Sequence, residues 1–141
     1  MDSKIYPLEF LYDGNCPICS ADVARLHKAD HHHRLIFIDI TEADFNPQEY
    51  DRSLETLLAR IHARRADGLI VEGPEVFRLS MAAVGLGWLV APSRWPLLNY
   101  ATEITYNWFA RNRTTLARHF SKFSKTPTKC DLRCNPDREQ Y

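Results

Sequence analysis

The sequence predicts an α/β domain built on a mixed four-stranded sheet, and three features carry that expectation. Two short, almost continuously apolar runs, Leu8 to Tyr12 and Leu35 to Ile40, flank a segment with helical spacing. A turn-forming Ala66-Asp67-Gly68 separates two further stretches that read as strands. From Gly73 onward the signals are those of helices.

Leu8-Glu9-Phe10-Leu11-Tyr12 ends at Asp13-Gly14-Asn15 and reads as a buried strand entering a turn. From Cys16 to Asp30, Cys19, Val23, Leu26 and Ala29 recur close to helical spacing, with Arg25 and Lys28 elsewhere on the cylinder. Leu35 to Ile40 is the near-continuous kind of run that parallel strands show. Together these make a β-α-β unit with a right-handed crossover. Thr41 to Leu54 is polar and broken by Pro47, which gives a loop plus a short helix. Leu57 to Ala63 and Leu69 to Glu72 are expected as hairpin strands on either side of Arg64 to Gly68.

Gly73-Pro74-Glu75 opens a helix reaching Gly85 or Gly87, with proline at its first position and an early acid. Ser93-Arg94-Trp95-Pro96 starts the last long helix, Pro96 to Phe123. Leu97, Ala101, Ile104, Trp108 and Leu116 form its apolar stripe, expected to face the core. Trp88, Trp95 and Trp108 are expected as core or interface anchors. Residues 1–125 are thus one domain, and 126–141 a polar, flexible tail that carries two cysteines and two prolines.

The chain has 141 residues, 45% of them apolar, enough to bury a core without covalent staples. Eighteen basic and eighteen acidic side chains cancel, so bulk charge points to no nucleic-acid partner. Between Arg94 and Lys129, however, seven Lys or Arg face one acid, Glu103, read as a solvated helix face. Met1 to Pro7 has no apolar signal region, and the longest nearly apolar run, Met81 to Pro92, is too short to span a bilayer. The expectation is a cytoplasmic protein without a membrane span. In a reducing compartment the four cysteines suggest redox chemistry or metal binding rather than a disulfide framework. His31-His32-His33 cannot all face one point on regular structure and reads as a solvated turn. Glycine-rich phosphate loops, His-Glu-x-x-His and serine nucleophile elbows are absent.

The chemistry lies in Cys16-Pro17-Ile18-Cys19, at the strand-to-helix junction. A helix N-terminus offers free N–H groups and about half a positive charge, which stabilise a thiolate and lower its pKa. Cys16 is then the attacking thiol. Cys19, one turn on, is the resolving thiol that attacks the mixed disulfide. Cys16 is expected to be the more exposed and Cys19 the deeper of the two. Pro17 stiffens that turn and removes a donor that has no partner there. The rival is a zinc-binding adaptor in which Cys130 and Cys134 complete a four-cysteine site with Cys16 and Cys19. Cys130 and Cys134 also suit a second dithiol, or an idle pair.

Tyr12-Asp13-Gly14-Asn15-Cys16-Pro17-Ile18-Cys19 resembles the Y-D-G-x-C-P-x-C hallmark of the DCC family of predicted thiol–disulfide oxidoreductases. Leu35 to Asp39 resembles the family's second strand, Asp67-Gly68 and Gly73 its hairpin, and Tyr106 to Arg113 its Y-x-x-x-A-x-N-R segment. The likeness runs over about residues 8 to 123. It implies a thioredoxin-like fold and a disulfide reductase without a bound cofactor. Such an enzyme acts on protein or small-molecule disulfides and draws electrons from an external donor of the thioredoxin reductase or glutathione type. It implies site roles for Asp13, Cys16 and Cys19, with Gly14, Pro17, Arg111 and Arg113 supporting the motif. Two departures stand out. Thioredoxin-like enzymes place a cis-proline before the third strand, where Ser53 to Leu57 has none. Their buried acid six residues before the first cysteine is Phe10 here, leaving Asp13 as the nearest acid.

Overall fold

The computed structural model describes residues 2–120. Strand β1 (Leu8–Tyr12), helix α1 (Pro17–Ala29) and strand β2 (Leu35–Asp39) form the opening β-α-β unit. A 3-10 turn (Pro47–Tyr50) and helix α2 (Leu54–Ala59) lead to the hairpin of β3 (His62–Arg64) and β4 (Ile70–Glu72). Helices α3 (Pro74–Ala83), α4 (Gly87–Val90) and α5 (Pro96–Phe120) follow, with another 3-10 turn (Ala91–Arg94) before α5.

The strand order is β2-β1-β3-β4. β1 and β2 run parallel with Phe10 beside Phe37, β3 is antiparallel to β1 with Ala63 beside Phe10, and β4 is antiparallel to β3. This mixed sheet with its helices is a thioredoxin-like fold. β1 is central, and four of its five residues are buried because both of its faces are covered. Phe10 leads the larger core with Leu8, Tyr12, Val23 and Leu26 of α1, and Val76, Leu79 and Ala83 of α3. Its ring meets Phe37 at 5.7 Å and Phe77 at 6.5 Å. On the opposite face Leu11 packs with Ile40, Tyr50 and Leu57.

The hairpin turn falls at Ala66-Asp67-Gly68 as expected, with Asp67 accepting from the Leu69 N–H and Gly68 at a φ of 84°. The strand before it is shorter than expected. Leu57 lies in α2 rather than in a strand, because Ser53 caps a helix there by accepting the Thr56 N–H at 3.2 Å. One helical turn then seats Leu57 under Leu11.

Most of the apolar stripe of α5 does not face the core; of its five residues only Leu116 is half-buried. Leu97 is 86% and Trp108 59% exposed; Ile104, Trp88 and Trp95 are exposed as well. The half-buried side carries Glu103, Tyr106, Ala110 and Arg113, three to four residues apart, together with Thr102, Phe109, Asn112 and Leu116. Polar contacts hold it. The Ile61 N–H donates to the Tyr106 hydroxyl at 2.8 Å, Arg60 pairs with Glu103 at 3.3 Å, and Arg113 donates to the Leu58 carbonyl. Directed bonds outweigh the hydropathy pattern in setting which side of this helix turns inward. Among the described residues, no helix is long and apolar enough to cross a membrane.

The start of α5 hangs on one buried cation. Arg78 of α3 donates to the Ser93 hydroxyl at 2.8 Å, the Ser93 carbonyl at 2.7 Å and the Asn99 side chain at 2.8 Å, and pairs with Glu75 at 3.1 Å. Arg78→Met keeps the apolar stem but leaves these acceptors without their donor. The expected cost is about 3 kcal/mol, read as a lower urea midpoint with an unchanged slope. A midpoint equal to that of the unaltered chain would show that Arg78 does not anchor α5.

Candidate active site

The site lies beyond the C-terminal end of β1. There the chain passes through α1 to β2 on one side, while β3 flanks β1 on the other. In open α/β sheets such a switch point leaves a crevice where strand ends and helix starts meet.

The turn between β1 and α1 is clamped from β2. The Gly14 N–H donates to Asp39 Oδ1 at 3.0 Å, and a Cβ at Gly14 would lie 1.8 Å from Asp39 Oδ2. Only glycine lets the backbone come this close. Asp39 also accepts from the Thr41 N–H at 2.9 Å and the Thr41 hydroxyl at 2.6 Å, which fixes its carboxylate. Asp13 accepts the Asn15 N–H at 2.9 Å, so it forms the turn as well as standing beside the cysteines. Pro17 occupies the first position of α1, as expected.

Cys16 is the N-cap of α1, in extended backbone conformation. Its sulfur takes the place of the usual capping oxygen: it accepts the Cys19 N–H at 3.4 Å and the Cys19 thiol at 2.8 Å. Both cysteines are free thiols. The Cys19 hydrogen bond is the main cause that lowers Cys16 to a pKa of about 6; burial opposes it, and the Cys19 and Ile18 amides add to it. Cys19 is raised, chiefly by donating that same hydrogen bond and then by burial, while the positive charge of Arg113 works in the other direction. The pair is therefore polarised into one thiolate and one thiol, coupled through a shared proton.

Exposure runs opposite to the expected order. Cys16 is only 7% exposed and Cys19 is half-buried. The reason is the cap itself, since a capping atom must turn back over the first helical turn, and Cys19 closes upon it.

Asp13 and Arg113, a hundred positions apart in the sequence, come within 3.8 Å. Arg113 reaches the site from α5 and also holds the Leu58 carbonyl near the end of α2. Arg111 points away: it is exposed and pairs with no described residue. Cys130 and Cys134 lie outside the described residues. Among the described residues, no three His, Cys, Asp or Glu gather as a metal site, and His31, His32 and His33 are exposed at the turn after α1. Where a cis-proline stands in thioredoxin-like enzymes, Arg60-Ile61 precedes β3, and its backbone is held by Tyr106. Two contributors escaped the sequence reading. Asp39 left one signal, an acid ending an apolar strand. Tyr106 was visible only as the first letter of a motif.

A model of the DCC1-like thiol-disulfide oxidoreductase family matches residues 10–119. An uncharacterized chloroplastic protein of Arabidopsis thaliana is 32% identical over 110 residues, covering 77% of this chain and 51% of the relative. The chain thus spans about half the length of that relative. No solved structure matches. Because the family match runs from the first sheet strand through the helix that supplies Tyr106 and Arg113, the chain belongs to the DCC1-like thiol-disulfide oxidoreductase family.

Proposed function

We propose that the protein is a disulfide reductase in which Cys16 attacks and Cys19 resolves. The observation that carries this reading is the Cys16 sulfur at the N-cap, accepting both the amide and the thiol of Cys19. The Cys16 thiolate attacks a substrate disulfide, forms a mixed disulfide and expels the first substrate thiolate. Cys19 loses its proton and attacks Cys16, releasing the second thiolate and leaving a Cys16–Cys19 disulfide. Two electrons have passed to the substrate, and an external thiol donor of the thioredoxin reductase or glutathione type restores the dithiol. Asp13 is the nearest acid for the Cys19 proton, and no bound cofactor is needed. Substrates are protein or small-molecule disulfides in a reducing compartment such as the cytoplasm. Residues 1–125 act as the working domain.

Insulin reduction with a regenerating thiol tests the activity. It is expected from the unaltered chain and lost in Cys16→Ser. Cys19→Ser is expected to accumulate mixed disulfides on Cys16 that a non-reducing gel resolves. Accumulation in Cys16→Ser instead would reverse the roles.

The pH dependence follows from the lowered Cys16 pKa. A thiol lowered to about 6 becomes nucleophilic as pH rises through that value. At pH 7 about nine-tenths of Cys16 is thiolate, against a few per cent of an ordinary cysteine. Iodoacetamide labelling of Cys16 is expected to rise with a midpoint near pH 6, with Cys19 labelling far behind. A midpoint near that of a free cysteine would overturn the thiolate assignment.

Cys130 and Cys134 are proposed to be dispensable. Replacing both with serine in the full chain is expected to leave insulin turnover within twofold. A tenfold loss would make them part of the dithiol relay, and zinc lost in the same variant would favour the adaptor.

A further inference from the structure

Resolution asks Cys19 to become a thiolate in a half-buried position. Two of the forces that hold its proton come from the Cys16 thiolate, and both disappear once Cys16 is tied up in a mixed disulfide. Burial remains. The group that stands against burial comes from the far end of the fold. Arg113 is four-fifths buried, its guanidinium anchored on the Leu58 carbonyl and 3.8 Å from the Asp13 carboxylate. At that separation Asp13 attracts the guanidinium without hydrogen-bonding it. Asp13 also spends its other oxygen on the Asn15 N–H. The positive charge is therefore held in place but only partly compensated.

We propose that Arg113 is the positioning residue of the resolving step: pinned between Leu58 and Asp13, whose carbonyl accepts the Cys16 N–H at 3.1 Å, it fixes a positive charge at the turn that leads into the dithiol, and that charge favours the attacking Cys19 thiolate. This rests on the reductase reading above. The step balances without a further reactant. The Cys19 proton leaves by way of Asp13, the nearest acid, to solvent, and the Cys19 sulfur bonds to Cys16. The bond between Cys16 and the substrate sulfur breaks, and the substrate departs as thiolate with the electron pair. Arg113 neither gives nor takes a proton. Its influence follows from a charge fixed near the place where negative charge develops, in surroundings that screen it less than water does. Arg111, exposed two residues earlier, cannot replace it.

The aryl disulfide dithiobis(nitrobenzoate) separates the two steps. Added in equimolar amount to the reduced protein, it releases one coloured thiolate when Cys16 attacks and a second when Cys19 resolves. Both phases are followed against pH by stopped flow. Arg113→Gln is expected to slow the second phase about tenfold at neutral pH and to move its midpoint up by about one unit. The first phase should stay within twofold. Arg113→Lys keeps the charge and should hold the second phase within about threefold. Arg78→Met loosens the start of α5 and leaves Arg113 and its anchors unaltered, so it should lower thermal stability and leave the second midpoint in place. An unmoved midpoint in Arg113→Gln, or equal losses in the Gln and Lys variants, overturns the assignment.

If Arg113→Gln does not fold, the unaltered chain carries the test. Salt screens Arg113 and Asp13 together. Cys19 feels Arg113 ahead of Asp13, whereas Asp13 leads the charged side chains that act on Cys16 beyond the pair. Raising the salt should therefore move the second midpoint up and the first one down. Both moving together would overturn the proposal. Failure of the reductase reading itself looks different: the unaltered chain then yields no second equivalent at any pH, and this assignment falls with it.

Discussion

The hydrogen bond from the Gly14 N–H to the Asp39 carboxylate is the contact on which the rest of the site depends. It joins the turn after β1 to the end of β2 and so decides where α1 begins. The sheet alone does not decide this, because β1 and β2 stay in register whether the next residue turns early or late. With a Cβ at position 14 the carboxylate would have to withdraw, and Thr41, which shares it, would lose its partner as well. Fixing Gly14 leaves Cys16 at the cap and Pro17 at the first helical position. The sulfur then meets the Cys19 amide because helix geometry puts that amide there. A local backbone contact thus determines an electronic property of a side chain two residues away.

Charge at the pair follows from this geometry. A capping sulfur is useful as an acceptor only when it carries negative charge, since a neutral thiol accepts weakly. Placing Cys19 both as amide donor and as thiol donor on the same atom makes one sulfur the preferred thiolate and the other the preferred thiol. Burial penalises both charges, yet only Cys16 has donors enough to overcome it. The same cap hides Cys16, so activation and exposure work against each other at this position.

The sheet, the hairpin turn and the dithiol were legible because each is a local signal. Apolar runs of strand length, an Asp-Gly turn and two cysteines three apart need no knowledge of distant residues. Leu57 was misplaced because β-prone content in Leu57 to Ala63 competes with a Ser53 cap that lies outside that window. The inward face of α5 was misread for a related reason. Hydropathy marks Leu97, Ile104 and Trp108, but Tyr106, Glu103 and Arg113 find partners in Ile61, Arg60 and Leu58, about fifty positions upstream. Asp39 and the Asp13–Arg113 approach are likewise products of tertiary structure. The family resemblance pointed to Arg113 and Arg111 alike; only the fold separates a residue at the site from an exposed one.

The manner in which α5 is attached matters for what it can do. Apolar packing is non-directional, and a helix seated by it can rotate or slide by an ångström with little change in buried area. Electrostatic influence falls with distance: at an effective dielectric constant near 20, two unit charges attract by about 4 kcal/mol at 4 Å and about 2 at 8 Å. A charge meant to act on a neighbouring sulfur therefore needs a defined position more than it needs a large buried surface. Tyr106 on the Ile61 amide, Glu103 on Arg60 and Arg113 on the Leu58 carbonyl supply that definition, because each bond has a preferred length and direction. All three reach the stretch from the end of α2 to the start of β3, the strand that pairs with β1. The inward polar stripe and the exposed apolar one are then two sides of one arrangement. The helix gives up part of its apolar burial, and in return its last inward cation stands at a fixed place beside the cysteine pair.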